Sequence, residues 1–176
     1  VTNITHEHLD YHKTYQNYLE TKGKLFKGVT FSILNKDDES YEFMRLVSSG
    51  KLISYGLNNF PDMLADKVDL ANTGSRFQIT LPSHDDSGDN SILHSIEVSL
   101  QIPGSYNVSN ALAASSAALE LGLTLQEIKI GLESFDGLKG RFEEIKAGQL
   151  FKVIVDFAHT PNALKQVLGQ ISNHKN

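Results

Sequence analysis

Lys22 lies where an ammonium is least expected. If the segment from Tyr15 onward is helical, Tyr15, Tyr18, Leu19, Lys22, Leu25 and Phe26 share one stripe, and Lys22 is the charged residue on it. Burial disfavours the charged amine and leaves a neutral nucleophile on a long stem. Such an amine can add carbon dioxide, and the resulting carbamate offers two oxygens to a hard cation such as Mg²⁺. The plainer reading has Lys22 snorkel to the helix edge. Upstream, His6, His8 and His12 cluster, but the fourth residue after His6 is Asp10 and Leu9 follows His8, so the H-E-x-x-H spacing of a zinc protease fails. Surface or capping roles compete with metal ligation at each of these histidines.

Asn107 and Asn110 stand three apart at the start of an Ala-rich segment, hence on one helix face near its electropositive end. A side-chain amide donates and accepts together, the complement of the N6 and N7 edge of adenine. Helix capping would equally explain an Asn there. Asp156 closes the apolar run "KVIVDFA", where α/β folds bind ligands at strand C-termini, and His159 follows in the turn. Arg141, beside Gly140 in "GRFEE", could clamp phosphates across a domain junction or form a surface ion pair.

The elements that must position these groups alternate. A helix over 14–26 leads into the strand "GVTFSILN", ending at Asn35 with Asp37 and Asp38 in the turn, then a helix over 39–50 and the short strand "LISYG". From Lys67 to Ile102 the period becomes two, through Phe77, Ile79 and Leu81 and through Ile96, Val98, Leu100 and Ile102. An antiparallel insert is expected there. Its loop "SHDDSGDN" lacks the order of a calcium loop and reads as a solvated hairpin turn. "GSYNVSNALAASSAALELG" predicts a close-packing helix ended by Gly122, and "TLQE" a capping box opening the next. Beyond Gly137 the pattern is strand, strand, helix, with Thr160 as N-cap and Pro161 at the first helical position. The class is α/β, with a domain boundary near 137–140.

Composition narrows the function classes. The 176 residues are 40% hydrophobic, enough for a substantial core. A net charge of −5 without a Lys/Arg run argues against nucleic acid or an anionic membrane as the main partner. The chain has no cysteine, which removes disulfides and thiolate metal sites, and it shows no secretory or membrane-spanning apolar run, so a cytoplasmic protein is expected. "VTNIT" reads as the end of a strand, so the chain is expected to be an excerpt of a longer protein.

"TNITHEHLDYH" followed by Lys22, then "NKDD", "GSYNVSNALAA", "GRFEEI" and "VIVDFAHTPNAL", resembles the Mur ligase family, the ATP-dependent amino-acid-adding enzymes of peptidoglycan synthesis. The last segment is most similar to the members that add meso-diaminopimelate or L-lysine as the third peptide residue. The resemblance implies a Rossmann-like central ATPase domain, incomplete and carrying an antiparallel β insert, over 1–138. The first strand–helix unit of a C-terminal α/β ligase domain would follow over 139–176. It implies that Lys22 is carbamylated and supports Mg²⁺, that His8 binds the metal, that Asn107 and Asn110 contact the nucleotide, and that Arg141, Asp156 and His159 approach ATP. Asn3 also matches. The implied partners are UDP-MurNAc-dipeptide and a free amino acid, with no nucleic acid or membrane, and the implied state is a monomer. The carboxylate would be activated as an acyl phosphate and attacked by the amine.

The family's phosphate-binding loop, G-x-x-G-K-[ST], has no match here, because "TKGKL" sits inside a helix, and the loop is expected upstream. The excerpt alone is therefore expected to be inactive. Another Mur ligase, a folylpolyglutamate synthase, a non-catalytic nucleotide-binding relative and a plain α/β interaction domain are the rival readings.

Overall fold

The computed structural model describes residues 1–5, 9–71, 73–82 and 94–172, with the side chains of Leu9 and Asn162 left out. The calls on His6 and His8, and the "SHDDSGDN" turn, lie outside the described residues. The main sheet has five strands in sequence order: β1 (Phe31–Asn35), β2 (Lys51–Gly56), β3 (Met63–Ala71), β4 (Gly74–Leu81) and β5 (His94–Leu100). The first three are parallel, in register Phe31 to Lys51 and Tyr55 to Met63, and β3, β4 and β5 are antiparallel. The expected insert is thus continuous with the parallel sheet. Its first strand begins four residues before Lys67, and a register shift between Asp66 and Asp69 accommodates Lys67 at φ 50°.

β1 is covered on both faces. Leu34 joins a cluster with Ile4 of the N-terminal segment, Tyr18 and Leu19 of helix α2 (Tyr15–Gly23) and Met44 of helix α3 (Tyr41–Val47), while its neighbour Ile33 packs on the opposite cluster. That larger cluster sets Tyr55, Phe77, Ile79 and Val98 against Val108, Ala111 and Leu112 of helix α4 (Ser105–Glu120). Ser115 and Ser116 return their hydroxyls to the Ala111 and Leu112 carbonyls, so the helix brings small, satisfied side chains to the sheet. Helix α5 (Leu125–Glu133) starts with the expected Thr124–Glu127 capping box. It is clipped to β5 by Glu133, which accepts from the Ser99 amide at 3.0 Å, and by Lys129, which donates to the Glu97 carbonyl.

Helix α2 is preceded by the short α1 (Leu9–His12) and ends at Gly23 in a 3₁₀ turn over Lys24–Phe26. The tightened turn rotates Leu25 off the predicted stripe, leaving it 68% exposed. A separate two-stranded antiparallel sheet, β6 (Glu143–Ile145) with β7 (Val153–Val155), precedes helix α6 (Pro161–Ser172), whose Thr160 hydroxyl accepts from the Ala163 amide. Among the described residues no helix is long and apolar enough to cross a membrane.

Candidate functional site

Residues 1–5 run beside β1. The Asn35 amide donates to the Val1 carbonyl, the Asn35 side chain to the Thr2 carbonyl at 2.9 Å, and the Ile4 amide to the Asp38 carboxylate at 3.3 Å. Extended backbone sends alternate side chains to opposite sides. Ile4 enters the core under α2, whereas Asn3 and Thr5 face a cleft. Asp37 ties down the neighbouring strand end, accepting from the amides of Leu57 and Asn58 and from the Asn59 side chain. The "NKDD" turn therefore binds the ends of three chain segments together. Sequence reading noted that motif without this task.

The cleft has a volume of about 710 Å³ and lies between α4, α5 and the segment from 137 onward. Asn107, Asn110, Ala111 and Ala114 line it at i, i+3, i+4 and i+7 along α4, beside the buried stripe of that helix. Arg141, Phe142 and Asp156 line the facing side. Five residues singled out in the sequence, Asn3, Asn107, Asn110, Arg141 and Asp156, thus share one wall-to-wall space. His159 is exposed and does not line it; its Nδ1 lies 3.1 Å from the Phe157 carbonyl oxygen, and its ring meets the Phe157 ring edge-on.

Neither Asn caps α4. The N-cap is Gly104, at φ 104°, and the Asn107 side chain donates to the Pro103 carbonyl at 2.7 Å. With a second side-chain hydrogen bond to Tyr106, that bond leaves the Asn107 carbonyl oxygen for a ligand. Sequence reading missed Tyr106, which lines the cleft with its ring against Gly104. Burial pushes the Tyr106 phenol up, the negative charge of Asp156 adds to the shift, and a side-chain hydrogen bond with Asn107 partly offsets it. An aromatic residue directly before an Asn at a helix start was the available signal.

Arg141 makes no ion pair among the described residues; its guanidinium sits 4.9 Å from the Phe157 ring centroid. That contact orients the head without consuming its donors. Asp156 is differently engaged: one carboxylate oxygen accepts from the Phe142 amide and the other from the Ala158 amide, each at 2.7 Å.

Lys22 is half-buried on α2, outside the residues lining the cleft, with Nζ 5.5 Å from the Tyr18 ring centroid; the His12 ring lies 4.9 Å from the same ring. The ammonium gains an attraction from that ring that a neutral amine would lack, which opposes the desolvation argument made from the stripe. Among the described residues no three His, Asp or Glu side chains are grouped to hold a metal ion. The described side chains therefore do not by themselves supply the oxygen-rich set that Mg²⁺ requires.

Comparison with known proteins follows the same outline. The Mur ligase middle domain matches residues 1–118. The UDP-N-acetylmuramoyl-L-alanyl-D-glutamate–2,6-diaminopimelate ligases of Bacillus licheniformis and Halalkalibacterium halodurans are 36% and 38% identical over 96% and 97% of this chain. The chain spans about a third of the length of these curated relatives, 34% of each. A MurF crystal structure from Acinetobacter baumannii superposes with a TM-score of 0.83 at 25% identity, covering 99% of this chain and 37% of that one. A folylpolyglutamate synthase from L. casei shares the fold, with a TM-score of 0.71 at 16% identity over 99% of this chain and 42% of its own. With a domain match over 118 of 176 residues and these identities, the chain belongs to the Mur ligase family.

Proposed function

We propose that this chain contributes the nucleotide-binding cleft of an ATP-dependent carboxylate–amine ligase of peptidoglycan precursor synthesis. The whole enzyme joins meso-diaminopimelate or L-lysine to UDP-N-acetylmuramoyl-L-alanyl-D-glutamate. The observation that carries this reading is the convergence of Asn107, Asn110 and Arg141 on one cleft between α4 and the segment beyond 137. In this reading the chain divides into 1–138, the latter part of the central domain, and 139–176, the start of the C-terminal one.

Within that cleft the Asn107 and Asn110 amides bind the adenine edge, and Arg141 offers planar, permanently charged donors to phosphate oxygens. Lys22 as a carbamate, with His8, would supply the oxygen and imidazole ligands that the described side chains lack for Mg²⁺, whose role when bound is to neutralise phosphate charge. His159 is assigned to the rim. Both the relatives' names and the cleft's mixture of amide, guanidinium and apolar lining favour this reading over an interaction domain.

The test is amide formation by the full-length protein from ATP, UDP-N-acetylmuramoyl-L-alanyl-D-glutamate and meso-diaminopimelate or L-lysine, followed by product mass. ATP-dependent product with either amino acid is expected. ATP binding without product from any amino acid would favour a non-catalytic relative.

A further inference from the structure

Asn3 sits between two peptide groups that are both held by side chains from the end of β1 and the turn after it. The Thr2 carbonyl, in the peptide before Asn3, accepts from the Asn35 side chain at 2.9 Å, and the Ile4 amide, in the peptide after it, donates to the Asp38 carboxylate at 3.3 Å. Upstream, the Val1 nitrogen donates to the Ile33 carbonyl at 2.9 Å and the Val1 carbonyl accepts from the Asn35 amide at 3.3 Å, the two slanted bonds of a parallel strand pair. Ile4, 4% exposed, anchors the strand beneath α2, and the Tyr15 hydroxyl of α2 donates to the Ile4 carbonyl at 3.4 Å. The backbone of Asn3 is thus fixed from several sides. Its side chain is not: it faces the cleft, exposed, with no hydrogen bond among the described residues. A rigid base under an uncommitted amide is a preorganised ligand contact.

The layout of the cleft selects the part of the ligand that this amide meets. Helix α4 brings Asn107 and Asn110 to one region of the space, for the base. Residues 1–5 join the cleft to α2, which carries Lys22, because alternation turns Ile4 towards α2 and Asn3 towards the cleft. The charged end of the nucleotide belongs on the side of the element proposed to support Mg²⁺. We propose that Asn3 contacts substrate, donating its side-chain amide to a phosphate oxygen of ATP, so that the adenine lies over α4 and the phosphates point towards residues 1–5. This rests on the reading of the cleft as a nucleotide site. A neutral N–H donor gives the phosphate a charge-assisted bond without adding a further charge to the site.

Two substitutions in the full-length protein test it, with Kd for ATP measured in magnesium-free buffer and KM measured in turnover for ATP and for UDP-N-acetylmuramoyl-L-alanyl-D-glutamate. Asn3→Ala removes the donor and is expected to raise Kd and KM for ATP about tenfold, while KM for the other substrate changes less than about twofold. The melting temperature should not move, since the side chain is exposed and spends no bond on the fold. Asn3→Asp keeps the shape but sets a carboxylate against the phosphates, so Kd for ATP is expected to rise further, about a hundredfold over the unsubstituted protein. An Asn3→Asp protein that binds ATP as well as Asn3→Ala, or better, would overturn the proposal, because an acceptor at this position then suffices, as it would against a metal ion or the adenine amino group. Unchanged ATP binding in Asn3→Ala would overturn it as well, as would a loss confined to KM for the other substrate or failure of both variants to fold. Absence of ATP binding by the unsubstituted protein would instead remove the nucleotide reading itself.

Discussion

At the residue scale, each side chain of the cleft has a different amount of freedom left for a ligand. Asn107 spends one N–H on the Pro103 carbonyl, whereas Asn110 is exposed on the cleft wall. Truncating either amide should therefore weaken nucleotide binding. Asn110→Ala is expected to raise KM for ATP about tenfold in the full-length enzyme with its melting temperature unchanged. Asn107→Ala should do the same and also lower thermal stability, since the Pro103 carbonyl loses its donor; steady-state kinetics beside a melting curve separates the two. Lys22 is argued differently, from family resemblance, because its place over the Tyr18 ring suits an ammonium. If it carries a carbamate, intact-mass analysis of the full-length enzyme shows one added carbon dioxide, and activity falls in bicarbonate-free buffer. Full activity with an unmodified lysine would remove that role.

Elements explain why these residues meet. The alternation of strands and helices, the period-two insert, the α4 helix and the capping box were legible because hydrophobic period and cap chemistry are local properties. Phe77, Ile79, Val98 and Leu100 alternate in sequence and are all buried. What the sequence could not show is long-range pairing. Asn35 and Asp38 reach back more than thirty residues to Thr2 and Ile4, and Asp37 reaches forward to Leu57. No local pattern announces such a bond. Likewise the fate of Leu25 depended on where α2 tightens into a 3₁₀ turn, a matter of a few residues at a helix end. The buckle at the strand ends yields its own prediction. Asp37→Ala leaves the Leu57 and Asn58 amides without their acceptor and should cost about 2 kcal/mol, read as a shift in denaturant midpoint. Gly104 gives another: a Cβ there would lie 2.8 Å from the Tyr106 ring on a backbone at φ 104°. Gly104→Ala should therefore displace Tyr106 into the cleft and raise KM for ATP several-fold.

For the whole molecule, buried phenols set an alkaline limit. Tyr55 is fully buried, and burial pushes its phenol well above the ordinary value of 10.0, with hydrogen bonding to Ser109 partly opposing; Tyr106 shifts the same way. Folded-state values above the unfolded one mean that this stability is fully present below about pH 10 and is lost as pH rises towards the folded values. Melting temperature is expected to fall over that range, and Tyr55→Phe should flatten the decline. The central claim concerns the cleft that joins α4 to the segment beyond 137. Photolabelling of the full-length protein with an azido-adenine analogue of ATP, followed by peptide mapping, tests it directly. Label protected by ATP is expected within 100–114, 131–142 or 156–167, segments of the cleft wall. ATP-protected label confined to peptides outside the cleft would contradict the account.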